Sequence, residues 1–273
     1  MKHLSKLQIP VFIFALTLSM LACNALIPQP DMYLAPDSAT VPASVATDTI
    51  APSLSQQLTL TSIPFNESDP GNGYPQYTIA AQAPQLTGSD DPRALAFNQR
   101  LNELVANEAN VWRQEFQRLP LTSLSNGSSL DITYTLAGQR GDIWSFKFNS
   151  SFYADAAAHP GLNIVTLNYD LLQGRELALK DLFLPNMEYL EEIAYYSMEE
   201  LKKQPYADSF WLEGAQPIAE NYRNWNITAD GLMITFNEYQ VAPYAAGPQS
   251  VVLPYSVLST IINPDGPLAL FIQ

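Results

Sequence analysis

The chain has 273 residues, 47% hydrophobic and 11% aromatic, enough apolar material for an ordinary globular core. Thirteen basic residues face 27 acidic ones, a net charge of −14, and no basic cluster exceeds the pair Lys202-Lys203, which excludes a nucleic-acid-binding surface. A single cysteine and two histidines exclude a disulfide framework and the usual zinc ligand sets.

Lys2 and Lys6 precede an almost wholly apolar run, residues 7–21, interrupted only by Gln8, Pro10, Thr17 and Ser19. A membrane-crossing helix needs roughly 20 apolar residues, so residues 1–22 read as a signal peptide instead. The run ends in Met20-Leu21-Ala22-Cys23, and Cys23 is the only cysteine. Small or apolar residues before a lone cysteine match a lipoprotein processing site, so Cys23 is expected to carry lipid. Each buried acyl methylene contributes about 0.8 kcal/mol, and two chains suffice for stable anchoring. The expected product is an extracytoplasmic, membrane-anchored lipoprotein of the bacterial cell envelope. Once Lys2 and Lys6 are removed, eleven basic residues face the 27 acidic ones, a net charge near −16. Residues 23–57 follow as a flexible linker, punctuated by Pro28, Pro30, Pro36, Pro42 and Pro52 and poor in bulky apolar side chains.

The rest reads as α+β, with mixed or antiparallel sheets and two main amphipathic helices. It divides into two closely packed subdomains, residues 58–155 and 156–273. Strands are predicted at 58–61 and 76–83, separated by the turn-rich Asp69-Pro70-Gly71-Asn72-Gly73. A helix follows, capped by Asp90 or Asp91 and opened by Pro92. Phe97, Leu101, Leu104, Val105, Trp112, Phe116 and Leu119 fall on its core face. Glu108 and Glu115 interrupt that stripe.

Alternation in Ile132, Tyr134 and Leu136, then in Trp144, Phe146 and Phe148, predicts a hairpin joined through 138–141. Another strand is predicted at 162–170. Asn186 is placed as the cap of a second helix whose core face is Met187, Leu190, Ala194 and Leu201, with Glu199 paired to Lys203. A further helix is predicted over 207–223. Strands at 225–227, 231–237 and 250–253 and a short helix over 255–262 finish the chain.

Three stretches carry a resemblance. The first is His159-Pro160-Gly161-Leu162-Asn163, leading to Leu167-Asn168-Tyr169-Asp170 and Gly174-Arg175-Glu176-Leu177. The second is Leu179-Lys180-Asp181-Leu182-Phe183. The third runs from Asp230-Gly231-Leu232 through Tyr239-Gln240-Val241-Ala242-Pro243-Tyr244-Ala245-Ala246-Gly247-Pro248 to Leu253-Pro254-Tyr255. In order and spacing they resemble the extracytoplasmic domain family of the anti-sigma factor RsiV, which also precedes the catalytic domain of some peptidoglycan deacetylases. The resemblance implies a mixed α/β fold that binds rather than catalyses, and lysozyme as a partner in the anti-sigma branch. No sigma-binding segment or spanning helix is visible in this chain.

Candidate chemistry is sparse. His159 precedes Pro160 in an extended or turn conformation and has no second histidine or nucleophile-elbow pattern beside it. No catalytic residue, metal site or cofactor is expected. The candidate binding residues are His159, Tyr239, Tyr244 and Tyr255, since tyrosines present rigid amphipathic area. The expected function is a non-catalytic binding lipoprotein, held to the membrane through Cys23, that recognises a cationic cell-wall hydrolase such as lysozyme. The alternative is a peptidoglycan or glycan binder using Trp144, Trp211, Trp225 and the tyrosines as stacking platforms. A third reading is a hydrolase with paired carboxylates.

Overall fold

A computed structural model describes residues 53–205 and 207–272. The expected signal peptide, Cys23 and the linker up to residue 52 lie outside the described residues. The last linker residues are already docked: Leu54 is buried, while Ser53 Oγ and Ser55 N donate to Asp142 Oδ1 at 3.0 and 2.8 Å.

Six strands form the larger sheet: β1 (Thr59–Asp69), β2 (Tyr77–Thr87), β3 (Ser128–Arg140), β4 (Ile143–Tyr153), β5 (Gly161–Asp170) and β6 (Arg175–Glu176), side by side in that order. All pair antiparallel except β2 and β3, which are parallel because α1 (Pro92–Arg118) carries the chain between them. A second sheet is the antiparallel meander β7 (Trp225–Ile227), β8 (Leu232–Phe236) and β9 (Gln249–Leu253). With α2 (Tyr189–Leu201) and α3 (Tyr255–Leu258), these elements make the α+β architecture read from the sequence. The division expected at 155/156 falls between β4 and β5, which are hydrogen-bonded neighbours in one sheet.

The first helix forms for the reasons visible in the sequence. Asp91 caps it by accepting from Arg93 N at 2.9 Å, and Pro92 occupies the first turn. Its buried stripe, Phe97, Leu101, Val105, Ala109 and Phe116, packs on Ile79, Ile132, Phe146 and Phe148. Phe97 stacks on Tyr169 at 4.1 Å and meets Phe146 at 6.1 Å. Each such buried side chain contributes about 1.5–3 kcal/mol. A second apolar cluster joins α2, the three-stranded sheet, Leu182 and Phe183.

Several local expectations are corrected. The β3–β4 hairpin turns at Gly141-Asp142 rather than over 138–141, and a register shift between Leu136 and Gly138 lets β3 continue to Arg140. Asn186 does not cap α2: it sits in the left-handed region at φ 65°, and the helix starts at Tyr189. The buried face is therefore Ile193, Ala194, Ser197 and Leu201, and Met187 is exposed. Glu199 pairs with Lys202, and Glu200 with Lys203, both at i,i+3. The predicted helix over 207–223 is instead three short 3-10 turns, because Gly214 and Pro217 interrupt it.

Candidate functional site

Strand β5 is held by β4 along its whole length, but β6 covers its other edge only at Tyr169 and Asp170. The uncovered stretch would leave outward N–H groups without acceptors. A turn at 237–240 supplies them: Leu162 N donates to Glu238 Oε2 at 2.9 Å and Ile164 N to Asn237 Oδ1 at 3.0 Å. Gln240 Oε1 in turn accepts from Asn237 N at 3.0 Å. Held on both sides, Tyr239 adopts φ 61°, a backbone conformation that costs a non-glycine residue about 1–2 kcal/mol. The residue is 53% exposed. Ala156 and Asn186 adopt the same left-handed conformation, at φ 63° and 65°.

Tyr239 lies on the rim of a cleft of about 530 Å³ between α1, the start of β5 and the turn. The floor is a stacked pair, Trp112 on Phe152, with ring centroids 3.8 Å apart. Gly161 permits this, since a Cβ there would lie 2.3 Å from Phe152 Cζ. Glu108, the carboxylate interrupting the helix stripe, accepts from Trp112 Nε1 at 3.1 Å and from Asn163 Nδ2 at 3.4 Å. It orients the indole and adds a polar group to the cleft. Glu238 and Arg223, the latter paired with Glu220, complete the charged margin.

On the rim, His159 stacks on Tyr244 at 3.9 Å and Tyr239 stacks on Tyr244 at 5.8 Å. Tyr244 OH donates to Pro160 O at 2.9 Å. His159 Nδ1 lies 2.8 Å from Pro160 O and Nε2 lies 3.3 Å from Tyr239 OH. Donation from Nδ1 to the carbonyl leaves Nε2 to accept from the phenol. Neither partner is a carboxylate that would orient the imidazole as a base.

Three of the expected binding residues, His159, Tyr239 and Tyr244, are thus brought together. Tyr255 is not. It is only 8% exposed, donates to Thr228 O at 2.7 Å, and burial pushes its hydroxyl pKa upward, so it is a core hydrogen-bond donor. Two of the expected stacking platforms are buried as well. Trp144 donates from Nε1 to Ser55 Oγ, and Trp225 lies in the second core. The missed residues are Trp112, Phe152, Glu108 and Asn163. Glu108 followed four residues later by Trp112 was the available signal, a carboxylate placed to accept from an indole on a helix surface.

Among the described residues, no group of three or more His, Cys, Asp or Glu side chains is placed to hold a metal, and no helix is long and apolar enough to cross a membrane.

Residues 180–256 match the model of a family described as a protein of unknown function (DUF3298), a stretch running from before α2 into α3. Peptidoglycan-N-acetylmuramic acid deacetylase PdaC of Bacillus subtilis is 26% identical over 166 residues, which are 60% of this chain and 35% of that protein. The match thus spans about a third of the relative's length. A deacetylase of this kind is one of the two protein types joined by the sequence resemblance. Two solved structures share the fold. A DUF3298 family member from Bacteroides fragilis has a TM-score of 0.55 at 16% identity, covering 79% of this chain and 97% of that one. A DUF3298 family protein from Pseudomonas aeruginosa has a TM-score of 0.53 at 17% identity, covering 76% and 95%.

Proposed function

We propose that this chain is a binding protein of the bacterial cell envelope, held outside the cytoplasm by lipid on Cys23, whose cleft takes the glycan strand of peptidoglycan without cleaving it. The observation that carries this reading is the paired aromatic surface: Trp112 on Phe152 at the floor, and His159, Tyr239 and Tyr244 stacked at the rim. Sugar rings have apolar C–H faces that lie on aromatic faces, and their hydroxyls and acetamido groups need fixed polar partners. Glu108 and Asn163 supply such partners beside the indole. The name of the Bacillus subtilis relative points to the same polymer. The bonding of His159 to a peptide carbonyl and a phenol supports binding rather than hydrolysis.

The test is cosedimentation of the purified full chain with peptidoglycan, comparing wild type with Trp112→Ala and Tyr239→Ala. Each variant should lose binding; Tyr239→Ala should keep its melting temperature within a few degrees, and melting curves should show Trp112→Ala still folded despite its lost contacts with Phe116 and Phe152. Retained binding in both would refute the cleft as the glycan site. In cells, Cys23→Ala should release the protein from the membrane fraction.

A cationic cell-wall hydrolase such as lysozyme is the second reading, favoured by the net charge near −16 once Lys2 and Lys6 are removed and by the exposed Tyr239. Salt separates the two. At about 1 M salt, where charges are screened beyond about 3 Å, glycan stacking should persist and an electrostatic complex should dissociate.

A further inference from the structure

We propose that the end of the domain where the tether leaves is a membrane-contacting face, covered by the bilayer that carries the lipid on Cys23. The inference rests on the anchoring read at Cys23 and adds an orientation to it, with this end toward the membrane and the aromatic cleft outward. The tether joins the folded domain at a fixed point. Ser53 Oγ and Ser55 N both donate to the buried Asp142, and Trp144 Nε1 donates to Ser55 Oγ at 2.8 Å. Ser53 and Asp142 line a cavity of about 890 Å³ that shares no lining residue with the cleft.

Three elements run from the cavity to the cleft and measure their separation. Strand β5 carries Gly161 at the cleft and Asp170 at the cavity, and β4 carries Phe152 and Ile143 in the same way. At about 3.3 Å per residue, each strand sets the two sites about 30 Å apart. On α1, Arg93 donates to the carbonyl of Leu172, a cavity residue, whereas Trp112 forms the cleft floor. A helical rise of about 1.5 Å per residue gives nearly the same distance. The tether and the cleft therefore stand at opposite ends of the domain.

The tether end has the chemistry of a membrane contact. Leu172, Leu184, Met187 and Leu270 all line that one cavity and are 37–51% exposed. Single exposed aliphatic side chains are ordinary, but a group of them around one opening marks a contact surface. The charge of this end also differs from that of the whole chain. Of the carboxylates lining the cavity, Asp142 and Asp170 are buried and Asp181 is paired with Arg175. That leaves Asp265 as the exposed acid of the lining, beside the exposed Lys180. Arg140, over the ring of Phe271, adds a second exposed cation next to Gly141 of the lining. Such a surface meets headgroups without the repulsion that the net charge near −16 would otherwise bring. A flexible chain as long as residues 24–52 keeps its ends about 30 Å apart. Lipid on Cys23 therefore holds this end close to the bilayer, where a contact too weak to retain the protein by itself suffices.

The test places the chain from Asn24 onward on vesicles of phosphatidylethanolamine and phosphatidylglycerol, held by an N-terminal histidine tag on a nickel-chelating lipid. The outcome then depends neither on natural lipidation, which the Cys23→Ala fractionation checks separately, nor on glycan binding. With Cys23 absent, an introduced cysteine is the only thiol and takes a fluorescent dye. Dye at Leu172→Cys or at Met187→Cys should be quenched about twofold or more by brominated lipid. Dye at Val111→Cys on the cleft, or at Leu124→Cys beyond the end of α1, should not. Adding Leu184→Ser and Leu270→Ser, both at exposed positions, should abolish the quenching at Met187→Cys while melting curves show the fold intact. No quenching at either tether-end site, equal quenching at all four sites, or quenching that survives the two serine substitutions overturns the proposal.

Discussion

Gly161→Ala is the sharpest perturbation of the aromatic cleft, because it changes no cleft side chain. A Cβ at Gly161 would stand 2.3 Å from Phe152 Cζ and 2.8 Å from Cε2, whereas carbons in contact sit about 3.5–4.0 Å apart. Gly161 is not in the left-handed region, so alanine adds no backbone strain there. The ring must therefore give way, by about 1.2–1.7 Å on that spacing. Phe152 is only half-buried, so it can swing outward, and the stability cost should sit at the low end of the ~1–3 kcal/mol seen for overpacking. The movement opens the 3.8 Å stack with Trp112. Such a pair contributes about 0.5–1.5 kcal/mol, so affinity for peptidoglycan fragments should fall roughly two- to tenfold. Calorimetry with soluble fragments reads this directly. A double-mutant cycle isolates the cause: in a Phe152→Ala background, Gly161→Ala should do nothing further. Wild-type affinity in Gly161→Ala would refute the stack as the sugar platform, and an undiminished effect without Phe152 would refute the ring-displacement mechanism.

Other consequences follow from the same geometry. Asn98, 7% exposed on α1, exchanges two 2.7 Å hydrogen bonds with the backbone of Leu86, and Asn98→Ala strands both groups. At about 1–3 kcal/mol for each unpaired buried group, denaturant unfolding should show a loss of about 2–6 kcal/mol, and a loss below 1 kcal/mol would contradict it. A Cβ at Gly214 would fall 1.8 Å from Gln240 O, so Gly214→Ala should lower the melting temperature sharply and disturb the 237–240 turn, seen as weakened glycan binding. Acid should destabilise the fold in a defined direction. The hydrogen bond from Arg113 holds Glu67 below its ordinary pKa, and that from Arg93 holds Asp91 near about 2. The unfolded chain therefore takes up protons first as pH falls, so stability is complete above about pH 4.5 and declines toward pH 2. Urea midpoints between pH 7 and 2.5 should show the slope, and Glu67→Gln should flatten part of it.

The parts of the fold legible in the sequence were those set by local physics. Asp91, Pro92 and a 3.6-residue apolar period mark α1, and strict alternation marks β3 and β4. The full length of β1 was hidden because it is an edge strand, largely exposed and rich in polar residues, with no apolar alternation to announce it. The second helix was misphased because Pro185-Asn186 has the composition of a helix start, whereas Asn186 uses its tolerance of positive φ to make a turn. At the site, His159, Tyr239 and Tyr244 stood out in loops rich in proline and glycine. Trp112 did not, since a tryptophan on a helical apolar stripe reads as core. Its accessibility depends on where β5 begins and on which side chains cover that strand's edge, both set by tertiary structure. For the same reason nothing local separated it from Trp144 and Trp225, which are buried.

The cleft has two walls from different layers of the molecule, and a buried polar seam fixes their relation. Ser145 on β4 donates to Asn168 Oδ1 on β5 at 2.6 Å, and Asn168 Nδ2 donates to Trp225 O at 2.8 Å. Asn226 Nδ2 reaches Ser145 Oγ and Phe146 O at 2.8 and 3.0 Å, and Ile227 N donates to Ser145 Oγ at 3.1 Å. Ser145 and Asn226 are solvent-free and Asn168 nearly so, which makes any slip of β7 along β4 and β5 costly. Apolar contacts alone would allow several registers of one layer on the other, because hydrophobic attraction has no direction. Hydrogen bonds do have direction, and here they lock β7, and through β8 the 237–240 turn, against β5. The strained Tyr239 and the Trp112 floor are thereby held at a fixed separation before any ligand arrives. For the proposed glycan binding, walls fixed in advance spare the cost of ordering them on association.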